Sequence, residues 1–196
     1  MNIREKLANI EQIILKTEFL LKLISLSGKK YNIDDLVNLG YVSVIKKGSV
    51  YFNNQILAFR DPYILGGAYM DFKNFMFGGF DMYNKKGFIT QVSNIFTIYN
   101  LNYSRELEIM GIKFKFKKIK KGFFYGKETK MINGYNINYM TRERLFLEYV
   151  RDYMTYEDNF FIEIYKTLDI KLLEKYMQKY PIKKVIDKIN KIKVCL

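Results

Sequence analysis

The chain has 196 residues, with 33 basic and 20 acidic side chains, a formal net charge of +13 and 17% aromatic residues. This composition allows one domain or two small ones with a buried core, and it excludes a disordered or low-complexity chain. Histidine is absent and Cys195 is the single cysteine, which excludes Ser-His-Asp and Cys-His catalysis, a disulfide framework and His- or Cys-based metal sites. We therefore predict a binding protein rather than an enzyme, without a cofactor or metal.

The hydropathy pattern predicts a cytoplasmic protein that does not cross a membrane. No apolar stretch approaches the roughly 18–20 residues needed to span a bilayer. The first residues, MNIREKLANIEQ, are polar and amphipathic, unlike a secretory signal.

The positive charge is concentrated in two segments. Residues 111–130 contain eight basic and one acidic residue, and residues 171–196 contain eight basic and two acidic residues. The rest of the chain is electrically balanced. An AT-rich genome would explain part of the lysine excess, but the clustering favours a polyanionic or acidic partner.

The N-terminal third has the pattern of three helices followed by a hairpin. Apolar residues at helical spacing predict two helices that meet near Thr17, a suitable N-cap. Asn32 should cap a third helix over residues 33–39, which ends at Gly40. Two short strands around the turn Lys46-Lys47-Gly48 follow. This order is that of a winged helix-turn-helix, and we assign it to residues 1–60.

The breaker Arg60-Asp61-Pro62 begins a different pattern. Strict alternation predicts a half-buried strand over residues 112–116, and Thr141 should cap a helix. The other predicted elements are a helix over 71–77, β-rich segments over 87–92, 95–99 and 134–140, and two C-terminal helices separated by Pro181. The predicted class is α+β, with a small mixed-sheet α/β domain over 61–155 and a helical segment over 156–196.

Four features of residues 61–149 occur in the order found in a known family. They are Gly67-Ala68-Tyr69 before a glycine pair, the 112–116 strand followed by Phe123-Phe124-Tyr125-Gly126, the segment 134–137, and the helix start Met140-Thr141-Arg142-Glu143-Arg144. In these features the chain resembles the AbiEi family, the antitoxins of type IV toxin–antitoxin and abortive-infection systems. The chain departs from the family at Lys73-Asn74-Phe75, where a small Ser-Ala pair is usual.

The resemblance implies an antitoxin with a role in phage defence. Such a protein would repress transcription of its own operon by binding inverted repeats in operator DNA through the winged domain. It would also counteract a toxin of the nucleotidyltransferase type. Neither an enzymatic activity nor a cofactor follows from the resemblance.

Two groups of lysines are candidate binding residues. In the winged domain, Lys46 and Lys47 at the hairpin turn would contact DNA phosphates, with Lys29 and Lys30 as weaker candidates. The alternative is a solvent-exposed turn that happens to contain lysines. Asn32 is better explained as a helix cap than as a base-contacting residue.

The second group is the strongest basic stripe of the chain and would form a docking face for an acidic partner or nucleic acid. The alternative is a solvated sheet face that lysine protects from edge pairing. Its members are Lys113, Lys115, Lys117, Lys118, Lys120 and Lys121.

Two further interpretations stay open. The first turn of the third helix contains Asp34 and Asp35, which would repel phosphate. These residues favour a protein inhibitor from a phage or mobile element, such as an anti-CRISPR-like counter-defence protein, which binds its partner through the basic face. Separately, Glu143 and Asp152 could form an acid–base pair, but a capped helix start with local ion pairs explains them more simply.

Overall fold

The computed structural model describes residues 2–28, 31–56 and 59–194. The chain forms two compact units, one of Met1–Lys73 with Glu108–Ile112 and one of Asn74–Leu107 with Lys113–Leu196. Helices occur together with antiparallel and parallel strand pairs, so the predicted α+β class is confirmed. Within the described residues, no helix is long and apolar enough to cross a membrane.

The first unit combines short helices with a three-stranded antiparallel sheet of order β1-β3-β2. Its elements are α1 (Ile3–Ala8), β1 (Ile14–Lys16), α2 (Thr17–Ser25), α3 (Ile33–Asn38), β2 (Val42–Lys46), β3 (Val50–Asn53) and α4 (Pro62–Tyr69). Leu7, Leu15, Leu20 and Leu36 are fully buried in its core. The predicted hairpin is confirmed, with Lys47, Gly48 and Ser49 in its turn.

The first predicted helix is shorter in the structure than the sequence pattern indicated. That helix ends at Ala8, and Ile14–Lys16 is a strand paired with β3. Closely spaced isoleucines fit either structure, and the pairing with β3 decides for the strand. Thr17 is also not the N-cap of α2, because Lys16 holds that position and the Thr17 hydroxyl donates a hydrogen bond to the Gly48 carbonyl.

The cap of α3 is confirmed. The Asn32 side chain accepts a hydrogen bond from the Asp35 amide at 2.9 Å, and the Asp35 carboxylate accepts one from the Asn32 amide at 2.8 Å. This reciprocal capping box fixes the start of a helix of only six residues. Gly40 follows the helix with φ at +69°, the left-handed conformation common after a helix end.

The second unit is built on a mixed sheet of order β6-β7-β5-β4-β9-β8, in which the end of β6 and the first residue of β7 fall within the segment Glu108–Ile112 that is grouped with the first unit. Its strands are β4 (Phe75–Gly78), β5 (Ile95–Asn100), β6 (Arg105–Ile109), β7 (Ile112–Lys118), β8 (Lys127–Ile132) and β9 (Tyr135–Met140). The strands β5 and β7 are parallel, as are β4 and β9, whereas β4 pairs with β5 and β8 pairs with β9 in the antiparallel direction. The expected mixed sheet is therefore present.

Helices complete the second unit, and the predicted C-terminal helices are among them. They are α5 (Phe80–Lys85), the 3-10 helix η1 (Lys121–Phe123), α6 (Arg142–Asp152), α7 (Asn159–Tyr165), α8 (Ile170–Met177) and α9 (Lys183–Val194). As predicted, Thr141 caps α6, accepting a hydrogen bond from the Arg144 amide. Val185, Ile189 and Ile192 form the buried stripe of α9.

The segment after Pro62 differs from the prediction. Instead of a helix over residues 71–77, the helix α4 ends at Tyr69 and Phe75–Gly78 is a fully buried strand. Asp71 and Asn74 adopt positive φ angles, which break a right-handed helix between them. Residues 87–92 contain no strand, whereas β5, β7 and β9 confirm the other three predicted strands.

The division between the units follows Lys73. The predicted boundary at residues 60/61 lies directly before α4, whose N-cap is Asp61. The helices α7 to α9 are grouped with the sheet of the second unit.

Candidate functional site

The turn between β2 and β3 contains the first two predicted contact residues. Lys47 is exposed, whereas the Nζ of Lys46 lies 2.9 Å from Asp71 Oδ2 and 5.8 Å from the centroid of the Tyr69 ring. The turn is joined to the start of α2, because the Thr17 hydroxyl donates to Gly48 O at 2.9 Å and the Thr17 amide donates to Ser49 O at 3.1 Å. Lys47 is therefore free to contact a ligand from solvent, whereas Lys46 is already paired with a carboxylate.

The helix α3 presents an acidic surface. Asp34 and Asn38 are exposed, while Asp35 is occupied by the capping box. The other predicted contacts, Lys29 and Lys30, lie outside the described residues.

The basic stripe is divided between the two faces of β7 and the turn that follows it. Lys113, Lys115 and Lys117 alternate with the buried side chains of Phe114 and Phe116, as expected. Lys118 lies one position further along β7 and is exposed, as are Lys120 and Lys121 at η1. The six lysines therefore do not share one face.

Lys115 and Lys117 have different electrostatic surroundings. Lys115 forms an exposed ion pair with Glu106 at 2.6 Å, and Lys115 lowers the pKa of Glu106 by hydrogen bonding. Lys117 has its Nζ 5.5 Å from the centroid of the buried Tyr99 ring, and burial lowers the pKa of Lys117. Within the described part of the chain, Lys117 forms no hydrogen bond or ion pair with a carboxylate.

Lys115 and Lys117 line a cleft of about 440 Å³ in the second unit. Thr97 lies on β5 opposite Lys115, and Tyr99 lies opposite Lys117, so the parallel pairing brings these side chains to one side of the sheet. The cleft is also lined by Phe80, Tyr83, Ser93, Asp152 and Tyr153. Sequence analysis did not predict this cleft.

The acidic group of the cleft is held by its neighbours. Asp152 accepts a hydrogen bond from the Tyr83 hydroxyl at 2.7 Å and from the Arg151 guanidinium at 2.9 Å. Asp152 raises the pKa of Lys117 through its charge, but the two side chains form no ion pair, and Arg151 is the cation bonded to Asp152.

A second carboxyl group lies close to the cleft but is buried. Asp81 is 6% exposed, and its Oδ1 accepts a hydrogen bond from the Thr97 amide at 3.1 Å. Its Oδ2 has no hydrogen-bond partner among the residues that the structure describes. Burial raises the pKa of Asp81 to about 7.

The helix α6 contains a buried ion pair. Arg144 and Glu148 are 0% and 1% exposed, with Arg144 Nη1 2.5 Å from Glu148 Oε1, and Glu148 also pairs with Arg151. The Arg144 guanidinium lies 5.0 Å from the centroid of Tyr125 and 5.2 Å from that of Tyr180. The ion pair is therefore shielded from solvent.

The residues near the start of α6 have structural partners. Arg142 donates to the Lys86 carbonyl at 2.6 Å and to the Thr167 hydroxyl at 2.9 Å. Glu143 is buried and accepts a hydrogen bond from the Asp169 amide at 3.2 Å. The described residues contain no group of acidic, histidine or cysteine side chains suited to a metal ion.

Comparison with known proteins gives a structural likeness. No protein-family model matches the chain, and no curated protein matches it. The crystal structure of the RV2827C protein from Mycobacterium tuberculosis superposes with a TM-score of 0.68 at 12% identity, covering 97% of this chain and 74% of that one. The two proteins share a fold. At this identity, the likeness extends to the fold alone.

Proposed function

We propose that the protein is an AbiEi-like antitoxin, which represses its own operon by binding DNA and counteracts a nucleotidyltransferase-type toxin. The observation that carries the proposal is the order α1-β1-α2-α3-β2-β3, with the strands paired as β1-β3-β2. This order and pairing support a winged helix-turn-helix in which α3 is the recognition helix and the β2/β3 hairpin is the wing. The resemblance of residues 61–149 to the AbiEi family supplies the antitoxin part of the proposal.

The wing would supply affinity that is independent of sequence. Lys47 is exposed at its tip, and the hydrogen bonds from Thr17 to Gly48 and Ser49 hold the turn against α2. A lysine that neutralises a phosphate displaces a condensed counterion, so binding weakens as salt rises.

The recognition helix would supply base contacts. Asp34 and Asn38 are exposed and four positions apart, which places them on one side of the helix. A carboxylate can accept a hydrogen bond from the cytosine amino group, and asparagine can pair with adenine. On this proposal the acidic residue at the start of α3 contributes base selectivity.

The test is fluorescence anisotropy with the DNA immediately upstream of the gene and with a scrambled duplex, at several salt concentrations. The natural sequence should bind more tightly. Lys47→Ala should weaken binding to both duplexes to a similar extent and lower the slope of log affinity against log salt by about one phosphate contact. Lys171→Ala, an exposed lysine on α8, is the matched control and should leave both affinities unchanged. Equal, weak binding to the two duplexes would rule out operator recognition.

The second candidate is a protein inhibitor that uses the same scaffold. The exposed Asp34 on α3 and the pairing of Lys46 with Asp71 favour it, since both reduce the positive potential that DNA would meet. In that case Lys47→Ala leaves function unchanged, and charge reversal along residues 113–121 abolishes binding to the protein partner.

A further inference from the structure

We propose that the cleft of the second unit binds a nucleotide, with the phosphate group at Lys117 and Thr97 and the base against the rings of Phe80 and Tyr153. This site goes beyond the proposed repressor function. All the residues that line the cleft belong to the second unit, and none belongs to residues 1–60.

Lys117 is the principal reason to expect an anion. Its ammonium group is partly buried against the Tyr99 ring, and burial lowers its pKa. A partly desolvated cation is stabilised most by a nearby anion. Among the described residues, Lys117 forms no ion pair or hydrogen bond with a carboxylate. The charges of Asp152 and Glu148 act on it from beyond ion-pair distance, and Asp152 is itself bonded to Tyr83 and Arg151.

Thr97 adds a hydrogen-bond donor beside this charge. Its hydroxyl has no hydrogen-bond partner in the described part of the chain, although the residue is only 5% exposed. The register of β5 and β7 places Thr97 opposite Lys115. Lys115 and Lys117 are two positions apart on β7, so their side chains point to the same side of the sheet. An oxyanion at Lys117 can therefore accept a hydrogen bond from the Thr97 hydroxyl, which strengthens its binding to the charged lysine. Lys115 lies beside this position but is paired with Glu106, which the anion would have to displace.

The other residues that line the cleft indicate the class of ligand. Phe80 and Tyr153 are partly exposed aromatic residues of the cleft, and such rings stack on nucleobases of any sequence. The volume of about 440 Å³ is within the range of small-ligand sites. The Asp152 oxygens, held in position by Tyr83 and Arg151, can accept from ribose hydroxyls.

Isothermal titration calorimetry with AMP, GMP, CMP and UMP tests the site directly, with adenosine and inorganic phosphate as separate probes. We expect at least one nucleotide to bind with a dissociation constant below about 1 mM. Adenosine and phosphate should each bind at least about tenfold more weakly than the nucleotide, because each has only part of the contacts. Equal binding of phosphate and nucleotides would contradict the proposal, as would the absence of binding by all four nucleotides.

Two substitutions locate the binding in the cleft. Lys117→Met keeps most of the side-chain volume and removes the charge, and Thr97→Val removes the hydroxyl while keeping the branched shape. Each should weaken nucleotide binding, Lys117→Met by at least about tenfold. Lys118→Met is the matched control, since Lys118 follows on the same strand, is exposed and does not line the cleft. Unchanged affinity in both cleft variants, or an equal loss in Lys118→Met, would overturn the assignment.

The outcome is separable from that of the proposed function. Thr97→Val changes neither the charge of the basic stripe nor any residue of the first unit, so DNA affinity measured on that variant reports the repressor function independently.

Discussion

Asp81 combines burial with incomplete hydrogen bonding. Its Oδ1 is bonded to the Thr97 amide, but Oδ2 has no partner among the described residues. Burial therefore favours the protonated form and raises the pKa to about 7. Because the unfolded chain has the ordinary value of 3.8, the folded state binds the extra proton between pH 3.8 and about 7.

This proton uptake predicts a loss of stability as pH rises. The free energy of unfolding should decrease between pH 3.8 and about 7 and should level off above that range. Asp81→Asn removes the titration and keeps an oxygen for the Thr97 amide, so the variant should be more stable than the wild type by about 1–3 kcal/mol at pH 8. Urea unfolding at pH 5 and pH 8 measures the difference, which should be smaller at pH 5. A difference that does not vary with pH would contradict the shifted pKa.

At the scale of elements, α6 is the central helix of the second unit. Residues Glu143 to Val150 are all buried, including the ion pair of Arg144 and Glu148. The packing extends to the loop before β8, where Gly126 has φ at +68° and a Cβ at this position would lie 2.7 Å from the Arg144 Cβ. The close packing of Arg144 in the interior therefore requires a glycine at position 126.

The two partners of this ion pair should differ in their effect on stability. Glu148 compensates both Arg144 and Arg151, and Arg151 also pairs with Asp152, so Glu148→Gln leaves the buried Arg144 without an anion and should cost about 3–5 kcal/mol. Arg144→Met should cost less, since Arg151 still compensates Glu148. Urea unfolding at pH 7 of both single variants and the double variant gives the coupling, and we expect the double loss to be smaller than the sum. Lys166→Met, in the exposed pair with Glu163, should have no measurable effect. Additive losses would show that the two side chains act independently.

The elements that sequence predicted are those whose signals are local. The alternation of residues 112–116, the Asn32 cap and the Thr141 cap each depend on a few neighbouring residues, and all three are present. The strands β1 and β4 were not predicted, because a short apolar run becomes a strand only when a distant strand pairs with it. The cleft escaped prediction for the same reason, since the parallel pairing of β5 and β7 brings Thr97 beside Lys115.

At the scale of the whole molecule, the net charge of +13 is distributed over surfaces with different partners. Lys46, Lys115 and Lys193 face carboxylates within the chain. In the described part of the chain, four exposed lysines of the predicted basic stripe form no ion pair with a carboxylate, namely Lys113, Lys118, Lys120 and Lys121. These four lysines are therefore the part of the stripe best suited to a polyanion.

Charge reversal tests whether position matters beyond net charge. The triple variant Lys113→Glu, Lys118→Glu and Lys120→Glu should elute from a heparin column at lower salt than the wild type. The control variant Lys171→Glu, Lys175→Glu and Lys179→Glu changes the net charge equally at exposed positions of α8 and the residues after it. We expect the control to elute between the wild type and the first variant. Co-elution of the two variants would show that net charge alone determines binding.

The ion pair between Lys46 and Asp71 has a consequence for how DNA binding would be measured. A phosphate that approaches Lys46 replaces a carboxylate that is fixed to the same chain. This contact therefore displaces no mobile anion from the lysine. Asp71 acts as a counterion that is covalently part of the protein. Once it is displaced from Lys46, its carboxylate repels the phosphate backbone of the bound DNA. Salt titrations of this protein would consequently count fewer phosphates than the wing touches, and Lys47, which has no such internal competitor among the described residues, would dominate the slope.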